Sequence, residues 1–152
     1  MFKIKVLRKF SAQVLHDVNQ LLPQLGLSNV PPKLLTPSGF RYLLKQKNTY
    51  LVLVIGYNQK PPKVIGMATV YLVYIPTGMI AVIEDVVIDV AYRGKGWGRK
   101  LTQELIKISK TKNAKHISVR TNPVRMESNI MYLNMGFLKK ETNFYRINFP
   151  WK

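Results

Sequence analysis

Apolar residues recur along this chain with two different spacings, one typical of strands and one typical of helices, and together they predict a mixed α/β domain. Alternation with a period of two, or a short β-branched run, predicts a strand, whereas apolar positions that recur every three to four residues predict a helix. Strands are expected over Lys3–Phe10, Tyr50–Tyr57, Val64–Ile75, Met79–Val90, His116–Arg120, Leu138–Lys140 and Phe144–Phe149. Helices are expected over Ala12–Leu25, Pro37–Lys47, Trp97–Lys112 and Val124–Asn134. The predicted order is therefore β-α-α-β-β-β-α-β-α-β-β, with a mixed sheet.

Turn and capping residues refine these boundaries. Thr36 is a good N-cap, and the proline that follows it suits the first position of a helix. Pro23 lies late in the first predicted helix and should kink or shorten it, and a loop is expected over Leu27–Leu35. The short connections Asn58–Pro62 and Pro76–Gly78 join the three middle strands. Connections of this length favour an antiparallel meander.

Length and composition favour one domain over residues 1–152 with no metal site. The 152 residues are enough for a hydrophobic core. The chain has no cysteine and only two histidines, far apart in sequence, which gives little support for a metal centre. No apolar run approaches the roughly 20 residues that a membrane span needs. We therefore expect a soluble, cytoplasmic protein that does not enter a membrane.

The charge is strongly positive, with 24 Lys and Arg against 7 Asp and Glu. Such a field attracts anions, whether a nucleotide cofactor, a nucleic acid or an acidic substrate. The basic residues are scattered, with no basic tail and no RNA-binding or zinc-finger motif. This distribution favours a solvated basic surface and an anionic cofactor over nucleic-acid binding.

The most informative stretch runs from Arg93 to Arg99, between a predicted strand and a predicted helix. Gly94, Gly96 and Gly98 allow backbone conformations that side chains disfavour, and they leave amide groups uncovered where the helix begins. These amides and the positive end of the helix dipole make an anion site. A strand, a glycine turn and a helix in this order predict a phosphate cradle.

The few acidic residues are concentrated beside this cradle. Glu84, Asp85 and Asp89 are three of the seven acids in the chain, and all lie in the strand that leads to the glycine turn. Catalysis or the binding of a substrate amine would explain such a concentration. We interpret Asp89, at the strand end, as structural.

The glycine spacing narrows the choice of phosphate ligand. The Gly-x-Gly-x-Gly spacing fits neither a P-loop nor the Gly-x-Gly-x-x-Gly dinucleotide fingerprint. The run from Arg93 to Gly98 resembles the Gln/Arg-x-x-Gly-x-Gly/Ala signature of the GCN5-related N-acetyltransferase (GNAT) superfamily. A later run, Ser128–Phe137, is similar to its Asn-x-x-Tyr-x-x-x-Gly-Phe block, in the expected order. The predicted elements agree with the fold of that superfamily along nearly the whole chain.

This resemblance implies an acetyl-CoA-dependent enzyme that needs no metal. An amine would attack the thioester carbonyl directly, through a tetrahedral intermediate, and CoA thiolate would leave. The backbone of Val86, Val87 and Ile88 would bind the pantetheine arm, and one backbone N–H there would polarise the carbonyl. The pyrophosphate would lie on the glycine turn, which comprises Arg93, Gly94, Lys95, Gly96, Trp97, Gly98 and Arg99.

The resemblance also implies candidate catalytic residues. Glu84 is the first candidate for the base that deprotonates the amine, and Asp85 is a close rival. Strand alternation would place the two carboxylates on opposite faces unless a β-bulge, usual in the superfamily, intervenes. Tyr132 is the candidate acid for the CoA thiolate, and Asn129 is a candidate contact of the pantetheine arm. The alternatives remain a structural salt bridge for either carboxylate, a core role for Tyr132, and a local backbone cap for Asn129.

The acceptor is less well defined. The run Ile83–Asp89 is similar to glucosamine-6-phosphate N-acetyltransferases, but those enzymes have acidic residues where this chain has Arg120–Pro123. The amino sugar therefore stays an alternative to an unidentified small-molecule or peptide amine. A third alternative is a non-catalytic module that binds acyl-CoA or nucleic acid. The absence of acids between Asp17 and Glu84 argues against cationic acceptors. A homodimer through the last strands is expected by analogy alone.

Overall fold

The structure is organised around one five-stranded mixed sheet. The computed structural model describes residues 1–26 and 33–149, and the elements below are those of this described part. In chain order they are β1 (Phe2–Val6), α1 (Ala12–Leu21), α2 (Pro37–Lys45), β2 (Thr49–Gly56), β3 (Lys63–Ile75), β4 (Gly78–Ile88), α3 (Trp97–Thr111), β5 (Ile117–Val119) and α4 (Met126–Asn134). The sheet order is β1-β2-β3-β4-β5. All neighbours are antiparallel except β4 and β5, which run parallel.

This topology confirms the predicted α/β class and the antiparallel meander of β2, β3 and β4. The chain divides into two compact units, 1–120 and 121–152. The sheet and the first three helices belong to the first unit, and α4 belongs to the second.

Helices cover both faces of the sheet. On one face, Leu15 and Val18 of α1 and Phe40 of α2 belong to a buried cluster with Leu51 and Leu53 of β2. The intervening β2 side chains point to the opposite face, because successive residues of a strand alternate. Helix α3 contacts β2, β3 and β4. Burial on both sides explains why β2 is an almost unbroken apolar run.

Helix α1 is tied to the sheet by a buried carboxylate. Asp17 is only 4% exposed. Its Oδ2 accepts a hydrogen bond from the backbone N–H of Val64 at 2.9 Å, and its Oδ1 accepts one from Nε2 of Gln13 at 2.9 Å. The Val64 amide lies at the β2–β3 irregularity between Val54 and Ile55. Asp17 therefore satisfies a polar backbone group next to a bulge.

The predicted helix boundaries are largely confirmed. The Thr36 hydroxyl caps α2 by accepting from the Gly39 N–H at 3.1 Å. Helix α1 ends at Leu21 and passes into a 3₁₀ turn, Leu22–Gln24, that contains Pro23. The proline thus shortens the helix, as its missing N–H and fixed φ require. Most of the predicted loop Leu27–Leu35 lies outside the described residues.

The last two predicted strands are wrong. Residues 138–149 form no strand, although the alternating apolar pattern around Leu138–Lys140 and Phe144–Phe149 predicted two. A strand needs a hydrogen-bonded neighbour, and alternation alone does not supply one. The apolar side chains of this segment are exposed: Leu138, Phe144, Tyr145, Ile147 and Phe149.

Within the described ranges, no helix is both long and apolar enough to cross a membrane.

Candidate functional site

A bulge interrupts β4 at its two acidic residues. Thr69 of β3 pairs with Glu84 of β4. Met67 lies two residues earlier in β3, but its partner Val87 lies three residues later in β4. One extra residue is therefore accommodated in β4. Asp85 takes a left-handed backbone conformation with φ of 54°, which is uncommon for a residue other than glycine. The bulge expected here is thus present.

Glu84 is held in an ion pair. Strand β5 pairs with β4 only as far as Val119, opposite Ile83, so that Arg120 follows directly at the end of β5. The Nη2 of Arg120 lies 2.5 Å from Oε1 of Glu84. The Glu84 side chain is 37% exposed and the Arg120 side chain 53% exposed. Glu84, the first candidate base, therefore already has a cationic partner at the point where the pairing of β4 with β5 ends.

Asp85 lies in a different environment. The residue is accessible to solvent, yet its carboxyl group is partly desolvated by the surrounding protein. This desolvation, and next the negative charge of Glu84, raise the pKa of Asp85 above that of an ordinary aspartate. A raised carboxylate pKa, together with an unusual backbone conformation, is typical of a functional position.

Beyond the bulge, one edge of β4 has no neighbouring strand among the described residues. Residues 86–88 follow the part of β4 that pairs with β5. The N–H of Asp89 donates to the carbonyl of Ile65 in β3. Because the backbone N–H and C=O groups of successive strand residues point to opposite edges, those of Ile88 point away from β3. The Ile88 carbonyl there accepts from Nε of Arg93 at 3.0 Å. The side chain of Val87 is buried in the core.

The glycine turn adopts the conformation that its sequence predicts. Asp89 caps a 3₁₀ turn, Val90–Tyr92, by accepting from the Ala91 N–H at 3.0 Å. Gly94 and Gly96 are left-handed, with φ of 72° and 77°, and Gly96 is the N-cap of α3. A Cβ atom added at either glycine would meet no atom within 4 Å. The turn therefore borders open space on the side where these hydrogens point.

The start of α3 suits a polyanion. The N-cap of α3 makes no side-chain hydrogen bond, and its first turn contains no acidic residue. The first N–H groups of a helix point away from the helix and can bind an anion. Arg93, Lys95 and Arg99 add positive charge around it. The ring of Trp97 packs against the ring of Phe2, with 5.1 Å between the ring centroids. Because the side chain is engaged there, only the backbone amide of Trp97 is expected to contact a ligand on the turn. These features fit a diphosphate group.

The second unit contains the other sequence block. Gly136 ends α4 in a left-handed conformation with φ of 87°, and the N–H of Phe137 bonds to the Tyr132 carbonyl at 3.1 Å. The Tyr132 and Phe137 rings pack edge to face at 5.4 Å. Burial raises the pKa of Tyr132 to about 12, against a smaller opposing effect of Arg125. This hydroxyl stays protonated at neutral pH.

Asn129 makes local contacts. Its Nδ2 donates to the carbonyls of Asn122 at 3.0 Å and Arg125 at 2.9 Å. This arrangement fits the backbone-capping alternative, and the contact with a pantetheine arm stays a prediction.

Sequence reasoning did not assign a role to Arg120. It appeared only as a departure from the acidic residues of amino-sugar enzymes. The signal for Arg120 is its position: it is a cation directly after β5, the short strand that pairs with the strand of Glu84 and Asp85. In the part of the chain that the structure describes, no group of three His, Cys, Asp or Glu side chains is arranged to hold a metal ion.

Several solved structures share this fold. An acetyltransferase from Trypanosoma brucei is 22% identical, with a TM-score of 0.77, and the alignment covers 98% of this chain and 100% of that one. The glucosamine-6-phosphate N-acetyltransferase from Arabidopsis thaliana is 19% identical, with a TM-score of 0.76 and coverage of 97% and 98%. An aminoglycoside 6'-N-acetyltransferase from Acinetobacter baumannii is 18% identical, with a TM-score of 0.74 and coverage of 99% and 100%. At these identities the likeness shows the fold alone.

Among curated protein sequences, none matches this chain. The family model described as "Acetyltransferase (GNAT) family" matches residues 17–137. This range includes β2 to β5, the bulge, the glycine turn and the Tyr132 block. The chain therefore belongs to the GNAT acetyltransferase family.

Proposed function

We propose that the protein transfers an acetyl group from acetyl-CoA to a primary amine by direct attack. The observation that carries this proposal is the strand, glycine turn and helix of the first unit. Two left-handed glycines there border open space at the start of α3, whose N-cap makes no side-chain hydrogen bond. Family membership supports acetyl transfer as the reaction class.

The acetyl-CoA pyrophosphate would bind the amides from Gly94 to Arg99. Helix N-termini favour such anions through both hydrogen bonds and the helix dipole. Lys95 and Arg99 would supply positive charge, and the backbone of Val86 and Ile88 would bind the pantetheine arm along the open edge of β4. Acetyl-CoA supplies the electrophilic thioester carbonyl.

Asp85 is the better candidate for the base. An attacking ammonium must first lose a proton, and a base whose pKa lies closer to neutrality accepts that proton more effectively. Asp85 has the raised pKa, whereas Glu84 is occupied by the guanidinium of Arg120. Glu84 would then act on Asp85 through its charge rather than on the substrate.

Tyr132 is the candidate acid. Its pKa of about 12 keeps the hydroxyl protonated over the pH range in which an amine reacts. A thiolate that leaves CoA needs a proton, and a buried phenol can donate one. The match of Tyr132 to the family block supports this role.

Release of free CoA thiol in the presence of an amine panel tests the reaction. The expected result is amine-dependent thiol release with one acetylated amine formed per thiol, confirmed by mass spectrometry. Thiol release that does not depend on any amine, or its complete absence with saturating acetyl-CoA, would contradict the proposal.

A further inference from the structure

We propose that Phe2 is a positioning residue for acetyl-CoA, because its ring holds the two ends of the glycine turn in the conformation that binds the pyrophosphate. This inference rests on the proposed function, since it concerns the same cofactor and the same turn. It depends on three observations in the first unit: the contacts of the Phe2 ring, the open backbone of the turn, and the glycine that leaves space for the ring.

The Phe2 ring contacts one aromatic residue on each side of the segment 93–96. Tyr92 directly precedes this segment, and its ring packs edge to face with that of Phe2 at a centroid distance of 6.0 Å. Trp97 directly follows the segment as the first residue of α3, and its ring centroid lies 5.1 Å from that of Phe2. Both distances lie in the range in which aromatic rings attract each other. One side chain of β1 therefore joins the two ends of the segment.

The segment 93–96 is open to solvent. All four of its residues are exposed. Gly94 and Gly96 have left-handed backbones, and a Cβ atom added at either one would meet no atom within 4 Å. Glycine-containing backbone loses conformational freedom when it is ordered around a ligand, which weakens binding. Because the Phe2 ring fixes both ends of the segment in advance, it should reduce that loss and raise the affinity for a pyrophosphate.

The same two rings hold cations beside the turn. Nζ of Lys95 lies 5.4 Å from the centroid of the Tyr92 ring, and Nζ of Lys100 lies 4.4 Å from that of the Trp97 ring. A cation within about 6 Å of an aromatic face is attracted by it. A shift of either ring would therefore also move positive charge that attracts a polyanion.

The first two strands fix the position of the Phe2 ring. Phe2 pairs with Gly56 of β2, and the N–H of Tyr57 donates to the Met1 carbonyl at 2.9 Å. A Cβ atom at position 56 would lie 2.9 Å from Cε1 of Phe2, which is closer than a real Cβ atom approaches another heavy atom. Gly56 therefore leaves the space in which the ring lies, and the strand pairing holds the ring beside the turn.

Calorimetric titration of two ligands tests the proposal. In Phe2→Leu the Kd for acetyl-CoA should rise about fivefold or more, whereas the Kd for S-acetylpantetheine, which lacks the pyrophosphate, should stay unchanged. Phe2→Tyr keeps the ring and should retain the affinity of the unaltered protein. Phe10→Leu is the matched control, because the Phe10 ring also packs edge to face, on Phe40 at 5.9 Å, but in the cluster with α1 and α2. It should leave both affinities unchanged.

An NMR measurement keeps the test independent of acetyl-CoA. In ligand-free ¹⁵N-glycine-labelled protein, the heteronuclear NOE of the Gly94 and Gly96 amides should be lower in Phe2→Leu than in the unaltered protein, and that of Gly78 should not change. An unchanged Kd for acetyl-CoA in Phe2→Leu, an equal loss of affinity for both ligands, or unchanged Gly94 and Gly96 signals would overturn the role of Phe2. If the unaltered protein binds no acetyl-CoA but the two glycine signals respond, the hold of Phe2 on the turn stands and the proposed function fails.

Discussion

Replacing Gly96 with alanine should separate the role of the glycine turn in folding from its role in ligand binding. Gly96 has φ of 77°, and an alanine in this left-handed region costs about 1–2 kcal/mol. Alanine also restricts the unfolded chain, which offsets roughly 0.4–1 kcal/mol. No atom lies within 4 Å of the new methyl group, so no steric clash is added. The expected net loss of stability is about 1 kcal/mol, or roughly 3 °C in Tm for a chain of this size.

The effect on ligand binding should be larger. The methyl group enters the open space that the pyrophosphate would occupy, so the Kd for acetyl-CoA should rise at least tenfold, about 1.4 kcal/mol. Gly78→Ala is the matched control. Gly78 also has a positive φ, 114°, but it lies at the start of β4, whose eleven residues span about 35 Å, whereas the glycine turn follows the end of that strand.

Calorimetric titration and thermal unfolding of both variants give the two quantities. Gly78→Ala should lose at least as much stability, because its φ of 114° lies further from the left-handed region open to alanine, and should keep the affinity of the unaltered protein. An unchanged Kd in Gly96→Ala, or an equal loss of affinity in Gly78→Ala, would refute the proposed pyrophosphate site.

Variants at four further residues test other contacts. Asp17→Ala leaves the Val64 N–H without its acceptor, so the free energy of unfolding in urea should fall by about 1–3 kcal/mol, and Asp17→Asn should lose less; equal values for all three proteins would contradict this. Asp85→Asn should lower kcat roughly 10²-fold or more and remove the rise in rate with pH, whereas Glu84→Gln should keep that rise. Because the pKa of Asp85 is raised in the folded chain, the native carboxyl group favours the neutral form, so stability falls as pH rises through this pKa and Asp85→Asn should be more stable at neutral pH. Tyr132→Phe should lower kcat by a similar factor at unchanged Kd for acetyl-CoA, and unchanged turnover would exclude Tyr132 as the acid.

Features encoded by neighbouring residues could be predicted from the sequence. The glycine turn, the Thr36 cap and the shortening at Pro23 each depend on a few adjacent residues whose backbone preferences are strong. The β2–β3–β4 meander follows from the short connections between its strands.

Features that depend on distant residues could not be predicted. The strand pattern of Phe144–Phe149 did not reveal that this segment has no neighbouring strand among the residues that the structure describes. By sequence alone Glu84 is the first candidate base and Asp85 a close rival. The contact of Glu84 with Arg120, 36 positions further along the chain, and the desolvation of Asp85 reverse that order. The contact between Glu84 and Arg120 needs the parallel pairing of β4 and β5, which no local pattern encodes.

Calorimetric titration of acetyl-CoA, compared with S-acetylpantetheine, tests the central claim most directly. The two ligands share the thioester and the pantetheine arm, but S-acetylpantetheine lacks the pyrophosphate that the glycine turn is proposed to bind. Binding of one acetyl-CoA per chain, at least 100-fold tighter than S-acetylpantetheine, is the predicted result. No binding of acetyl-CoA at millimolar concentration, or equal affinity for both ligands, would contradict it.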